Sequence, residues 1–178
     1  MIKYLPQFTL PWLHARAKEQ LLHPKLDWNY PTFAESLPGV EPNYEQACFG
    51  RCSYDFNSQV NNWAGTESLT YVLEEWLDRN STWFKIHQVH RCHMNFYSRG
   101  QCTTWHTDHL YPDMYGLLYY IDDSTGGTEF KDASFNHKEN TGVFFNANLL
   151  HRPIPSDRHR RITVSWILAG TILNDQTL

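Results

Sequence analysis

Leu10, Leu13, Ala17 and Leu21 recur near helical spacing, which predicts a helix over residues 9–22. Thr9 is placed to cap it, and Pro11 suits its first turn. A stronger stripe runs through Leu69, Val72, Leu73, Trp76 and Leu77, at i, i+3, i+4, i+7 and i+8. It predicts a second helix over residues 67–79, with Thr66 as its cap. Between them, residues 23–65 are rich in Pro, Asn and aromatics and read as irregular, with short strands near 48–56.

After residue 82 the pattern changes to strands and turns. Residues 84–97 read as one long or two shorter strands, followed by a turn at Ser98-Arg99-Gly100. Residues 116–122 (GLLYYID) form an unbroken apolar run of strand length, suited to a strand buried on both faces. Gly126-Gly127 ends a turn, and residues 128–130, 141–145 and 161–169 read as further strands. The expected fold is mainly β with supporting N-terminal helices (α+β), a double-layered jelly roll or double-stranded β-helix. One domain is expected over 1–178, with 1–82 as helical and irregular support and 83–170 as the jelly-roll core.

Composition narrows the class. Hydrophobic residues make up 41% and charged residues 19%, which argues against disorder. The formal net charge of −4 disfavours a nucleic-acid or anionic-membrane binder. No apolar run approaches membrane-spanning length and the N-terminus lacks a secretory pattern, so a cytoplasmic protein with reduced cysteines is expected. The spacing Cys48-x-x-x-Cys52 could seed a zinc site, but no second pair at ligand spacing follows it.

His106-Thr107-Asp108 has the form His-x-Asp, which on a strand sends both side chains to one face. His151, between two strand-like segments, is the best third ligand. Two His and one carboxylate on one face make the facial triad of non-haem iron sites. A lone His-x-Asp is more often an ordinary hydrogen-bonded pair. Arg161, ten residues after His151, changes the balance. Alternation puts Arg161, Thr163 and Ser165 on one face and Arg160 on the other. A buried guanidinium facing a metal is a receptor for the far end of a dicarboxylate. His87, His90 and His93 are three apart, so alternation sends successive ones to opposite faces, and they read as structural.

Together these residues resemble the 2-oxoglutarate/Fe(II) dioxygenase superfamily, over roughly residues 84–169. Tyr119-Tyr120-Ile121-Asp122 and Gly126-Gly127-Thr128-Glu129-Phe130 are similar to strands of its prolyl 4-hydroxylase-like branch. The resemblance implies Fe(II) on His106, Asp108 and His151. It implies 2-oxoglutarate held by Arg161, with Thr163 and Tyr120 assisting. It also implies O2 as oxidant, ascorbate as an accessory reductant and 2-oxoglutarate decarboxylated to succinate as a C–H bond is hydroxylated. Asn95 and Tyr97 stand before His106 in a spacing similar to AlkB-like demethylases, where such residues bind the co-substrate. Those enzymes carry a second Arg where this chain has Ile167. Trp105 and His109 are expected at the substrate mouth, with residues 111–115 as an entrance loop. The expected partner is a small-molecule or peptidyl substrate. The competing readings are an AlkB-like nucleic-acid demethylase, with Arg91 and other basic residues clustered, and a cupin-like metal-binding protein without 2-oxoglutarate.

Overall fold

The computed structural model describes residues 1–28, 49–57, 59–157 and 160–173. Cys48, half of the cysteine pair, lies outside the described residues. A seven-stranded antiparallel sheet runs in the order β1-β8-β5-β10-β4-β2-β3. Its members are β1 (Ile2–Leu5), β2 (Phe49–Asp55), β3 (Val60–Asn61), β4 (Phe84–Ser98), β5 (Met114–Tyr120), β8 (Thr141–Asn146) and β10 (Arg160–Ile172). A three-stranded sheet, β7-β6-β9, is made by β6 (Gly127–Phe130), β7 (Ser134–Asn136) and β9 (His151–Ile154). This is the expected jelly roll, two antiparallel layers with two helices in support. The first 82 residues supply three of the large sheet's strands as well as both helices.

Helices α1 (Pro11–Leu21) and α2 (Ser68–Asn80) cover one face of the large sheet. Their stripes (Leu13, Ala17 and Leu21; Leu69, Val72 and Trp76) pack against the even positions of β10: Ile162, Val164, Trp166 and Leu168. Each such buried side chain contributes about 1.5–3 kcal/mol relative to exposure. The odd positions Arg161, Thr163, Ser165 and Ile167 face the other way and are also buried. β5 is buried at every position, which accounts for its unbroken apolar run. Tyr119 faces the helices, while Leu118 and Tyr120 face the interior between the sheets.

Neither expected helix cap forms. The Thr9 hydroxyl donates to Glu75 of α2 at 2.8 Å, and Leu10 stands at the N-cap with no side-chain bond. Thr66 bonds Ser53 and the Trp63 carbonyl instead of capping α2. The α2 N-terminus is satisfied from the other helix, where the Gln20 side-chain oxygen accepts from the Ser68 amide at 3.0 Å. Long-range partners have outcompeted the local cap in both helices.

β4 is one long strand, and its pairing with β10 slips twice. The register passes over His90 between Arg91↔Ile167 and Val89↔Leu168, and over His87 between Gln88↔Ala169 and Ile86↔Gly170. Each bulge adds a residue, so Ile86, Val89, Cys92 and Met94 all reach the helix-side core. His87, His90 and His93 consequently share the opposite face. Strict alternation had separated them; the bulges correct that expectation.

Candidate metal and dicarboxylate site

The interior face of the large sheet and the small sheet enclose a cavity. His106 lies in the loop between β4 and β5, tied to the first residue of β9 by a two-residue bridge. The His106 amide donates to the His151 carbonyl, and the His151 amide to the His106 carbonyl, both at 2.9 Å. Two residues on, the Asp108 amide donates to the Ala147 carbonyl at 2.9 Å. Backbone bonds thus fix where all three side chains start.

The side chains converge. Ligand atoms of His106, Asp108 and His151 all lie within 4.8 Å of one another, the one such group among the described residues. The His106 and His151 rings are 4.5 Å apart between centroids. Nδ1 of His106 bonds the Thr104 carbonyl at 2.8 Å, and Nδ1 of His151 bonds the Leu149 carbonyl at 2.9 Å. A carbonyl only accepts, so each Nδ1 carries the proton and each Nε2 keeps a free lone pair. Nε2 of His151 lies 3.6 Å from Oδ2 of Asp108. Phe130 and Phe145 pack on the His151 ring and hold its plane.

Electrostatics favour the ligand form of His151 and Asp108. Burial pushes the His151 imidazole below its ordinary range, outweighing the pull of Asp108. Burial alone would raise the Asp108 carboxyl, but His151, Arg91 and His106 hold it below the usual carboxylate range. Neutral imidazoles and an ionised carboxylate are what a divalent metal needs. The donor set, two nitrogens and one oxygen with the imidazole lone pairs unspent, fits Fe(II).

Arg161 lies further along the same cavity and is 1% exposed. Its Nη1 donates to the Gly127 carbonyl at 2.9 Å and also to the Ile154 carbonyl. Its guanidinium carbon sits 4.2 Å over the Tyr97 ring. Its Nε has no partner, and among the described residues no carboxylate pairs with it. A buried cation without a counter-ion is costly, and a ligand carboxylate would relieve that cost. Gly126 keeps the space beside the guanidinium open: a Cβ there would stand 2.9 Å from Nη1 of Arg161. Ser165 Oγ, on the same wall, is also buried without a partner. The fit to a dicarboxylate is therefore good.

Asn95, Tyr97 and Thr163 line the cavity with Arg161, so four of the five expected co-substrate contacts come together. Tyr120 stands behind them. Its hydroxyl donates to Thr128 at 2.8 Å, and Thr128 lines the cavity in its place. Arg160 is on the outside, its Nε 3.8 Å from Asp122. Trp105 lies under the Arg152 guanidinium at 4.7 Å. His109 stacks towards Tyr111 at 5.0 Å. The expected entrance loop is shorter than 111–115, because Met114 and Tyr115 are buried in β5; residues 110–113 are exposed. The sequence reading named Arg91 only within a basic cluster and missed its place at the metal cluster, where its Nη2 reaches Oδ1 of Asp108 at 3.4 Å. Continuing the alternation back from Tyr97 and Asn95 through His93 would have found it.

No family model matches this chain, and no curated protein does. Solved structures do. A Paramecium bursaria Chlorella virus-1 collagen prolyl hydroxylase, solved with 2-oxoglutarate, matches at 14% identity and TM-score 0.58, over 94% of this chain and 96% of the other. A Trichoplax adhaerens prolyl hydroxylase bound to a hypoxia-inducible-factor fragment matches at 12% identity and TM-score 0.66, over 94% and 83%. A Burkholderia pseudomallei oxidoreductase of the 2OG-Fe(II) oxygenase family matches at 14% identity and TM-score 0.65, over 97% and 88%. The chain therefore has the fold of the 2-oxoglutarate/Fe(II) oxygenases, in the form seen in prolyl hydroxylases.

Proposed function

We propose that this chain is an Fe(II)- and 2-oxoglutarate-dependent dioxygenase that hydroxylates an unactivated C–H bond of a small-molecule or peptidyl substrate. The observation that carries the reading is Arg161, a buried guanidinium with no carboxylate of its own, in one cavity with the His106, Asp108 and His151 cluster. A cupin-like protein that binds only a metal leaves that cation unexplained. An AlkB-like site is disfavoured by Ile167, which is buried and apolar where those enzymes carry a second Arg.

Each residue then has a task. His106, Asp108 and His151 hold the metal, with both imidazoles oriented by their carbonyl partners. Arg161 and Thr163 receive the far carboxylate of 2-oxoglutarate, and Asn95 and Tyr97 flank it. Tyr120 fixes the Thr128 hydroxyl at the wall. Leu118 and Pro153 help keep the cavity dry, which strengthens every charge interaction inside it. Iron, 2-oxoglutarate and O2, when bound, supply the oxidising chemistry, with 2-oxoglutarate going to succinate.

The test is an anaerobic titration of 2-oxoglutarate into the Fe(II)-loaded protein, read by the weak visible charge-transfer band. The band is expected in the wild type and absent from His151→Ala. In Arg161→Ala it should move to higher 2-oxoglutarate concentration while metal affinity stays near normal. Bound metal without a band would leave the metal site standing and remove the co-substrate.

A further inference from the structure

Asp108 sits between two different neighbours. Oδ2 faces the imidazole of His151 at 3.6 Å, and Oδ1 faces the guanidinium of Arg91 at 3.4 Å. The carboxylate's two oxygens are thereby sorted, one towards His151 and one towards Arg91. Arg91 comes from β4, opposite Ile167 on β10 and Asp55 on β2. It lies on the cavity face of β4, immediately after the bulge at His90. Nε of Arg91 is buried and makes no bond, and Nη2 joins the side chain to the site through Asp108.

We propose that Arg91 is a positioning residue for the metal site: it holds Oδ1 of Asp108 so that Oδ2 alone is presented to the metal. The inference rests on the metal reading above. It matters because the cluster offers three donors, and a carboxylate free to turn would offer its second oxygen to the same ion. That would take a position 2-oxoglutarate or O2 needs. Arg91 prevents the turn by giving Oδ1 a charge-assisted partner of its own.

Arg91 also acts on a metal cation by simple repulsion, and this effect has the opposite sign. Removing Arg91 would tighten metal binding if repulsion were all it did. It would loosen binding if it orients Asp108, by about tenfold or more, as loss of partners to metal ligands commonly does. The sign of the change therefore discriminates.

The experiment is a Co(II) titration of the full chain, followed by the visible d–d bands, in wild type, Arg91→Met, Arg91→Lys and His151→Ala. The expected result is weaker binding and altered d–d bands in Arg91→Met, with Arg91→Lys between it and wild type because an ammonium can still pair with Oδ1. Unchanged or tighter binding by Arg91→Met, with unaltered bands, would overturn the proposal and leave the metal site intact. Wild-type protein that takes up no more Co(II) than His151→Ala would overturn the metal reading itself, and this inference with it. Thermal melting of the metal-free variants shows that each is folded, and Arg91→Lys carries the test if Arg91→Met is not.

Discussion

The guanidinium carbon of Arg161 lies over the ring of Tyr97, 4.2 Å from its centre, and the two residues are direct cross-strand partners on β10 and β4. The ring is therefore a platform for the cation as well as a wall of the cavity. Such a contact is worth about 0.5–2 kcal/mol. Tyr97→Ala should weaken 2-oxoglutarate binding by roughly 2- to 30-fold on that scale, while Tyr97→Phe keeps the platform and stays near wild type. Both are read by the same anaerobic titration. A large loss in Tyr97→Phe would show that the hydroxyl, and not the ring face, does the binding.

Gly126 tests the other side of Arg161. A methyl group there would stand 2.5 Å from the Ile154 carbonyl oxygen as well as against the guanidinium. Gly126→Ala should displace Arg161 and cost about 1–3 kcal/mol of stability from overpacking. Its signature is reduced 2-oxoglutarate affinity with unchanged metal affinity. Equal loss of both would mean that the whole site has collapsed.

His93 predicts a pH dependence of stability. Burial, aided by Arg91, pushes its imidazole down from 6.5 to about 3. Between those values the unfolded chain takes up a proton that the folded chain refuses, so stability must fall as acid is added. It loses about 1.4 kcal/mol per pH step across that window. Above pH 7 both states are neutral there and the contribution is flat. The melting temperature of wild type should drop steadily below pH 6.5, and His93→Gln should show a shallower slope. A slope unchanged by the substitution would assign the effect to other buried histidines such as His137, which is shifted the same way by burial.

Gln20 joins the two helices at the α2 N-terminus. Gln20→Ala should cost about 1 kcal/mol, the usual worth of a cap, and lower the melting temperature by a few degrees. The charge-transfer band of the loaded protein should be unaffected, since neither helix reaches the cavity. A changed band would show that the helix layer is coupled to the site through the sheet.

The sequence made the site more legible than the frame around it. β10 alternates cleanly, so Arg161, Thr163 and Ser165 could be placed on one face without a structure. His106, Asp108 and His151 were found because metal chemistry restricts both residue types and spacing. β4 was harder. A bulge inserts one residue without a residue-type signature, and the one at His90 moved that residue onto the face that strict alternation gives to His87 and His93. The caps failed for a different reason: Thr9 and Thr66 are good local caps, but distant partners took their hydroxyls. Strands as short as β3 and β7 carry too few residues for a period to register. Tyr120 was assigned a co-substrate contact from the resemblance, and the sequence did not show that its hydroxyl bonds Thr128 at the cavity wall.

The backbone bridge between His106 and His151 has one more consequence. Two amide–carbonyl bonds set the spacing of these histidines, and neither bond depends on an ion. The fold's core lies elsewhere, under the helices. The site is thus a socket and not a staple: a chelator should empty it and leave the jelly roll standing, and fresh metal should refill it without a folding step. Small metal domains that unfold when stripped lose their function for good unless they refold. On the proposed function, metal supply alone should inactivate and restore this chain.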